Sequence, residues 1–194
     1  MFKLSKIIII LLITSVLFVS KLFANENSVA VFVYHRFGEN NYPSTNIKIH
    51  QFKNHLEELT KNNYNVVSTE EIVDALINNK DLPEKTVALT IDDAFFSIYK
   101  KAWPLLKEKK LPFTIFVSTG PLKSNSKNYM NWEQIKEMVN HGVTIGHHTR
   151  NHLHLVTKEK EKIISEIEEA NNDFLKNLGY VPDIFAYPYG EYSS

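Results

Sequence analysis

The sequence of 194 residues contains no cysteine. It therefore has no disulfide framework, no thiolate nucleophile and no cysteine ligand for zinc or an iron–sulfur cluster. Any bound metal ion must be held by His, Asp or Glu side chains. The sequence also lacks an excess of charge, because 22 Lys and Arg balance 22 Asp and Glu. Its 43% hydrophobic and 23% charged residues are typical of a globular protein and exclude a disordered chain.

Acidic residues are absent from the first 24 positions. There, Lys3 and Lys6 precede an uncharged, largely apolar run at residues 7–19, and Ala24 offers a small residue for cleavage. This order predicts a secretory signal peptide over residues 1–24. The run is shorter than the roughly 20 residues that a membrane-spanning helix needs, so an uncleaved anchor is the alternative. Both readings place the protein outside the cytoplasm, in the periplasm, at the cell surface or in the medium, with membrane contact only through an uncleaved leader.

The remaining residues, 25–194, are expected to form one domain. Without the three lysines of the leader, 19 basic residues remain against 22 acidic ones. This balance argues against a nucleic-acid-binding protein, whose surface would carry a basic patch.

Short β-rich apolar runs alternate along this domain with longer stretches of helical periodicity, which is typical of an α/β fold with a mainly parallel sheet. We predict strands at residues 29–34, 66–68, 86–91, 113–117, 143–146 and 184–186. The longest predicted helix covers about residues 158–178. It has Thr157 as its N-cap and Gly179 as its C-terminal stop. Its predicted buried face contains Ile163, Ile164, Ile167, Phe174, Leu175 and Leu178.

Polar clusters follow three of the predicted strands. Asp92 and Asp93 follow the third strand, residues 147–152 follow the fifth and contain three histidines, and residues 187–190 follow the sixth. Ligands and chemistry gather at the carboxyl ends of parallel strands. We therefore expect the three clusters to meet at one face.

The spacing of His148 and His152 would place both rings on one side of a helical turn, where they can bind one ion. One carboxylate of the Asp pair would complete a two-His, one-carboxylate site that suits Zn²⁺ or another divalent transition metal. The other Asp would be free to act as a general base. The zincin motif is excluded, because it requires Glu where Thr149 stands.

Each of these patterns also has a purely structural explanation. A His pair can lie on a solvated turn, an Asp pair can cap a helix, and Tyr-Pro-Tyr-Gly is a common turn sequence. Their occurrence after three strands favours the metal site.

The same three segments resemble the motifs of the polysaccharide deacetylases with the NodB homology domain, the fourth carbohydrate esterase family. Residues 90–94, Thr-Ile-Asp-Asp-Ala, resemble the motif Thr-Phe-Asp-Asp-Gly. Residues 148–152, His-Thr-Arg-Asn-His, are similar to His-Ser/Thr-x-x-His. Residues 185–190, Phe-Ala-Tyr-Pro-Tyr-Gly, resemble Arg-x-Pro-Tyr-Gly, and weaker similarity extends over the rest of the chain after the leader.

This resemblance implies a deformed NodB-type (β/α) barrel, here incomplete with about six strands, and hydrolysis of N-acetyl groups on an N-acetylhexosamine polymer. Asp92 is the implied catalytic base, and the implied metal ligands are Asp93, His148 and His152. The backbone N–H of Tyr189 would stabilise the oxyanion, and substrate contacts are expected from Tyr187, Pro188 and Tyr189.

The sequence departs from the family pattern at several positions. Ala94 replaces a Gly and Ile91 a Phe, changes that are tolerable unless position 94 requires a positive φ. Ala186 replaces the Arg that orients the catalytic Asp in the family. The family also continues past the equivalent of Ser194 to a Leu-x-x-His motif that carries the general acid. We therefore expect that the domain lacks its C-terminal part. In the alternative, His35 supplies the acid.

Two function classes follow from these motifs. The first is an exported polysaccharide N-deacetylase that acts on poly-N-acetylglucosamine or peptidoglycan, with a slight preference for the exopolysaccharide. The second is a truncated pseudoenzyme that binds metal and carbohydrate without turnover. Release of acetate distinguishes the two.

Overall fold

The computed structural model describes residues 29–123 and 126–193. The predicted signal peptide lies outside these residues. A five-stranded parallel sheet contains β1 (Ala30–Tyr34), β4 (Asn65–Val67), β5 (Thr86–Asp92), β6 (Thr114–Val117) and β7 (Thr144–His147). A second, two-stranded parallel sheet joins β2 (Arg36–Phe37) to β3 (Asn46–Ile47).

Helices connect the strands of the main sheet, as the alternating pattern predicts. They are α1 (Ile49–Lys61), α2 (Thr69–Ile77), α3 (Trp103–Glu108), α4 (Thr119–Leu122), α5 (Trp132–Asn140) and α6 (Lys160–Leu178). A π-helical turn at Ile98–Ala102 precedes α3, and two 3₁₀ turns lie at Leu155–Thr157 and Pro188–Gly190. Among the described residues, no helix is long and apolar enough to cross a membrane.

Strand β5 is the centre of the main sheet, and its residues are buried up to Thr90 and Ile91. A strand that is buried on both faces reads as a continuous apolar run, which is why this strand is predicted well. Strand β1 pairs along one edge of β5, while β4 and then β6 pair along the other. Strand β7 pairs with β6, so Val117 lies opposite His147. This register places the carboxyl ends of β5, β6 and β7 side by side.

The core lies between the sheet and the helices. It includes Leu89, Ile115 and Ile145 of the sheet together with Phe52, Leu56, Ile135, Met138 and Phe174 of the helices. Each of these side chains is at most 3% exposed.

The predicted sixth strand forms only one parallel bridge, between Phe185 and His147. Pro182 and Pro188 flank this segment, and proline cannot donate a hydrogen bond to extend the ladder. The prediction also missed β2 and β3, because two-residue strands are too short to show an alternating pattern.

The buried face of α6 agrees in part with the predicted one. Phe174 is fully buried, and Ile163, Ile167 and Leu178 are partly buried. Ile164 and Leu175 are 42% and 56% exposed, whereas Glu166 and Asp173 are buried. Glu159, not Thr157, occupies the N-cap position, and Gly179 ends the helix in the left-handed conformation as predicted (φ 82°).

Candidate active site

The carboxyl end of β5 supplies two adjacent carboxylates. Asp92 is the last residue of the strand, and the main chain then turns sharply through Asp93 (φ 73°) and Ala94 (φ 55°). The Asp93 N–H donates to the carbonyl of Phe116 on β6, which fixes the turn to the sheet (3.0 Å). Position 94 therefore does require a positive φ. The Ala that stands in place of the motif's Gly carries a backbone cost of about 1–2 kcal/mol.

The two predicted histidine ligands lie on the loop that follows β7. This loop is not the helical turn that their spacing suggests, because Thr149 (φ 64°) and His152 (φ 54°) are left-handed. The Thr149 side chain accepts a hydrogen bond from the His152 N–H (3.1 Å). The turn still brings the rings of His148 and His152 together, with centroids 4.7 Å apart.

Asp93, His148 and His152 form the predicted ligand group. Asp93 Oδ1 lies 3.3 Å from His152 Nε2 and 3.8 Å from His148 Nε2. The three donor atoms all lie within 4.8 Å of one another. Two imidazoles and one carboxylate are the donor set of catalytic zinc sites and of related divalent metal sites.

The surroundings of His148 fit this group for metal binding. Its Nδ1 donates to the carbonyl of Ala186 (2.8 Å), which leaves the lone pair of Nε2 directed toward Asp93. Burial lowers the pKa of His148 to about 4, so the ring is neutral at physiological pH, as a metal ligand must be.

Asp92 lies beside the ligand group, with His35 across from it. Burial and the neighbouring charge of Asp93 raise the pKa of Asp92 to about 7. His35 Nε2 is 3.8 Å from Asp92 Oδ2. Burial lowers the pKa of His35, and the charge of Asp93 opposes that shift. The structure thus brings into the site the one histidine that the sequence offered only as an alternative acid.

A cleft of about 600 Å³ contains these groups. Its lining includes Asp92, Asp93, His35, His148, His152, Ala186, Tyr187, Tyr189 and Gly190. Tyr187 and Tyr189 are each more than half exposed, as substrate-contacting rings should be. Pro188 is buried and is not among the residues that line the cleft, and its contact with substrate stays a prediction.

Tyr189 is held in an unusual position between two histidines. Its backbone is left-handed (φ 62°). Its ring packs edge-on against His152 (4.5 Å) and stacks parallel on His154 (3.6 Å), whose Nδ1 lies 2.9 Å from Glu191 Oε2. The contact with His152 places the third motif directly against the predicted metal ligands.

Polar side chains of α6 that no sequence pattern predicted contact both α4 and the histidine loop, residues 148–152. Asp173 accepts a hydrogen bond from Thr119 Oγ1 (2.9 Å) and pairs with Lys123 (2.6 Å). Arg150 of the loop pairs with Glu169 on the same helix. In the sequence, acidic residues that recur beside small and aromatic residues on one helix face could indicate buried carboxylates. A solvent-exposed charged face gives the same sequence pattern, so the signal does not separate the two.

Comparison with known proteins agrees with this geometry. The sequence profile described as polysaccharide deacetylase matches residues 79–194. The protein YxkH of Bacillus subtilis is 29% identical over 84% of this chain, and the match spans 57% of YxkH. The poly-β-1,6-N-acetyl-D-glucosamine N-deacetylase of Staphylococcus aureus is 27% identical over 88% of this chain and 67% of its own length. The chain thus spans little more than half of the first relative and about two thirds of the second.

Among solved structures, the Streptococcus pyogenes deacetylase PplD in complex with acetate superposes with a TM-score of 0.77 and 27% identity. The superposition covers 86% of this chain and 76% of PplD. The α/β fold with its parallel sheet is therefore that of the deformed (β/α) barrel predicted from the motifs. With its three motifs gathered in one cleft and more than half of its length matched by the family profile, the chain belongs to the polysaccharide deacetylase family.

Proposed function

We propose that this protein is an exported, metal-dependent N-deacetylase of an N-acetylglucosamine-containing polysaccharide, with a β-1,6-linked exopolysaccharide favoured over peptidoglycan. The observation that carries the proposal is a partly buried carboxylate, Asp92, in one cleft with the group formed by Asp93, His148 and His152. The Staphylococcus aureus relative supports the choice of polymer. The acetate complex of PplD supports the reaction, because acetate is the product that deacetylation releases. The charge and apolar pattern of residues 1–24 supports export.

Asp93, His148 and His152 would hold the metal ion. When bound there, a divalent ion, with Zn²⁺ the first choice for two imidazoles and a carboxylate, supplies Lewis acidity toward water and the acetyl carbonyl. The hydrogen bond from His148 to the Ala186 carbonyl orients one ligand before any ion arrives.

Asp92 acts as the general base. Its raised pKa of about 7 suits a group that must take a proton and release it again near neutral pH. The oxygen of water attacks the acetyl carbon while one of its protons passes to Asp92. The N–H of Tyr189, at the rim of the same cleft, donates to the oxyanion that develops on the carbonyl oxygen.

His35 supplies the proton that the leaving amine needs. Its Nε2 is 3.8 Å from Asp92 Oδ2, a separation that one bridging water or a small closing movement would span, so that a proton taken by Asp92 could pass to His35. The bond between the acetyl carbon and nitrogen then breaks, nitrogen takes the proton, and acetate and a free amine result. His35 also lies beside the carboxylate that an Arg orients in other family members, and Ala186 stands at that position here.

The test is acetate release from acetylated β-1,6-linked glucosamine oligomers, with and without a metal chelator. We expect Asp92→Asn to lower the rate by on the order of 10²- to 10⁴-fold, the range for loss of a general base, while the bound metal stays unchanged. The matched control is Asp74→Asn, because Asp74 lies on the surface and pairs with Lys80. Binding of metal and oligomer without any acetate release would favour the pseudoenzyme instead.

A further inference from the structure

Glu166 is a carboxylate in an unusual position. It lies on α6 and is 1% exposed, yet both of its oxygens are used by one residue of the histidine loop. The main-chain N–H of Asn151 donates to Oε2 (2.8 Å), and the side-chain amide of Asn151 donates to Oε1 (2.7 Å). Lys162, one turn earlier on α6, pairs with the same carboxylate (3.2 Å).

Asn151 lies between His148 and His152 in the sequence. A shift of its main chain would therefore displace both proposed ligands. The other side of the loop is fixed by main-chain bonds to the start of α4: Gly120 N–H donates to the Arg150 carbonyl (2.8 Å) and Thr119 N–H to the Thr149 carbonyl (3.3 Å). Glu166 supplies the opposing anchor from α6. A loop with two left-handed residues keeps its shape only when its surroundings determine that shape.

The chemistry of the contact explains why a carboxylate is needed. Burying a charge is costly unless hydrogen bonds and a counter-charge compensate, and here Asn151 and Lys162 provide both. An apolar side chain at 166 would avoid that cost, but it would remove the acceptor of two part-buried hydrogen bonds that Asn151 donates to the carboxylate.

We propose that Glu166 is a positioning residue for the metal ion: by holding Asn151 through two hydrogen bonds, it sets the spacing of His148 and His152 and thereby the affinity of the site for a divalent cation. This inference rests on the metal site of the proposed function. It assigns a role to a residue that belongs to none of the three motifs and does not line the cleft.

The experiment measures the dissociation constant for Zn²⁺ by competition with a chromophoric chelator, and repeats it with Co²⁺. Glu166→Gln keeps the shape of the side chain but presents an amide where a second acceptor is needed. We expect its dissociation constant to rise by about 10- to 100-fold, the range for loss of an outer partner of a metal ligand. Asn151→Ala, which keeps the main-chain bond, should show a smaller rise. The loss of Zn²⁺ binding free energy in the double variant should be smaller than the sum of the losses in the two single variants, because the two side chains share a hydrogen bond.

The control is Ile135→Val, a trimmed core residue on α5 that is 0% exposed and belongs to neither the histidine loop nor α6. It should lower the melting temperature without changing the dissociation constant. Equal affinities of wild type and Glu166→Gln, or equal losses in Glu166→Gln and Ile135→Val, would overturn the positioning role and leave the proposed function standing. A wild-type protein that binds no divalent ion would overturn both.

Discussion

The proposed metal ligands come from two regions of the molecule that are held in different ways. At the end of β5, Asp93 is fixed by main-chain bonds of the sheet itself, including the one to Phe116. In the loop after β7, His148 and His152 stand on irregular backbone that depends on side chains from α6 and on the close approach of α4.

The difference teaches where each half of the site is sensitive to substitution. Backbone hydrogen bonds of the sheet fix the position of a ligand at a strand end, and most side-chain substitutions leave those bonds in place. Contacts with particular side chains fix the position of a ligand on a loop, so distant substitutions can displace it. Both regions share left-handed non-glycine residues, which marks them as strained positions around one site.

The strongest test of the comparison removes one ligand from each region. We expect Asp93→Ala and His148→Ala each to raise the dissociation constant for Zn²⁺ by more than about 100-fold, since losing a ligand should exceed the 10- to 100-fold effect of losing an outer partner. Elemental analysis of purified variants should show metal contents far below one ion per chain. Undiminished metal in either variant would remove that residue from the ligand set.

A smaller effect is expected where the loop contacts α4. A Cβ at Gly120 would lie 2.7 Å from Asn151 Oδ1 and 2.8 Å from the Arg150 carbonyl oxygen. Gly120→Ala should cost about 1–3 kcal/mol of unfolding free energy and weaken metal binding, because the loop must shift. Gly142→Ala is the control: its positive φ (83°) makes it destabilising, but no atom lies within 4 Å. If both variants bind metal like the wild type, the loop does not depend on this contact.

The strained turn after β5 can be relieved by restoring glycine at position 94. Ala94→Gly loses a buried methyl group but gains a residue suited to φ 55°. Ala88→Gly, at an equally buried position inside β5, loses the methyl group without that gain. We expect Ala94→Gly to be the more stable of the two by about 1–2 kcal/mol in denaturant unfolding. Equal stabilities would mean that the left-handed backbone at 94 carries no cost.

The smallest expected effect concerns pH. Burial raises the pKa of Glu166, but the bonds from Asn151 and the pairing with Lys162 outweigh burial, so the pKa lies below its ordinary value of 4.5. The ionised form therefore stabilises the fold above pH 4.5, and this contribution is lost as the pH falls through the folded-state pKa. Between pH 6 and pH 3.5 the melting temperature of wild type should fall more steeply than that of Glu166→Gln. Parallel curves would show that the carboxylate contributes no net stability.

Sequence patterns predict the strand-end half of the site better than the loop half. The apolar run of β5 locates Asp92 and Asp93 because a central parallel strand is buried along its whole length. The spacing of His148 and His152 predicts that their rings lie together, which they do, but it suggests the wrong backbone. The partners of the loop could not be predicted, because Glu166 is buried by a contact with Asn151, and the periodicity of α6 contains no information about another segment. That periodicity favours Ile164 instead, which is exposed.

The bond from His148 to position 186 has a consequence for how the site tolerates mutation. Its acceptor is a main-chain carbonyl, which every amino acid provides. The identity of residue 186 can therefore change without altering the orientation of the histidine. The change from the Arg expected by resemblance to Ala alters what the side chain can offer Asp92, but it leaves intact the main-chain bond that orients His148, a proposed metal ligand. Position 186 can therefore lose the contribution of its side chain to Asp92 and still keep the contribution of its main-chain carbonyl to His148.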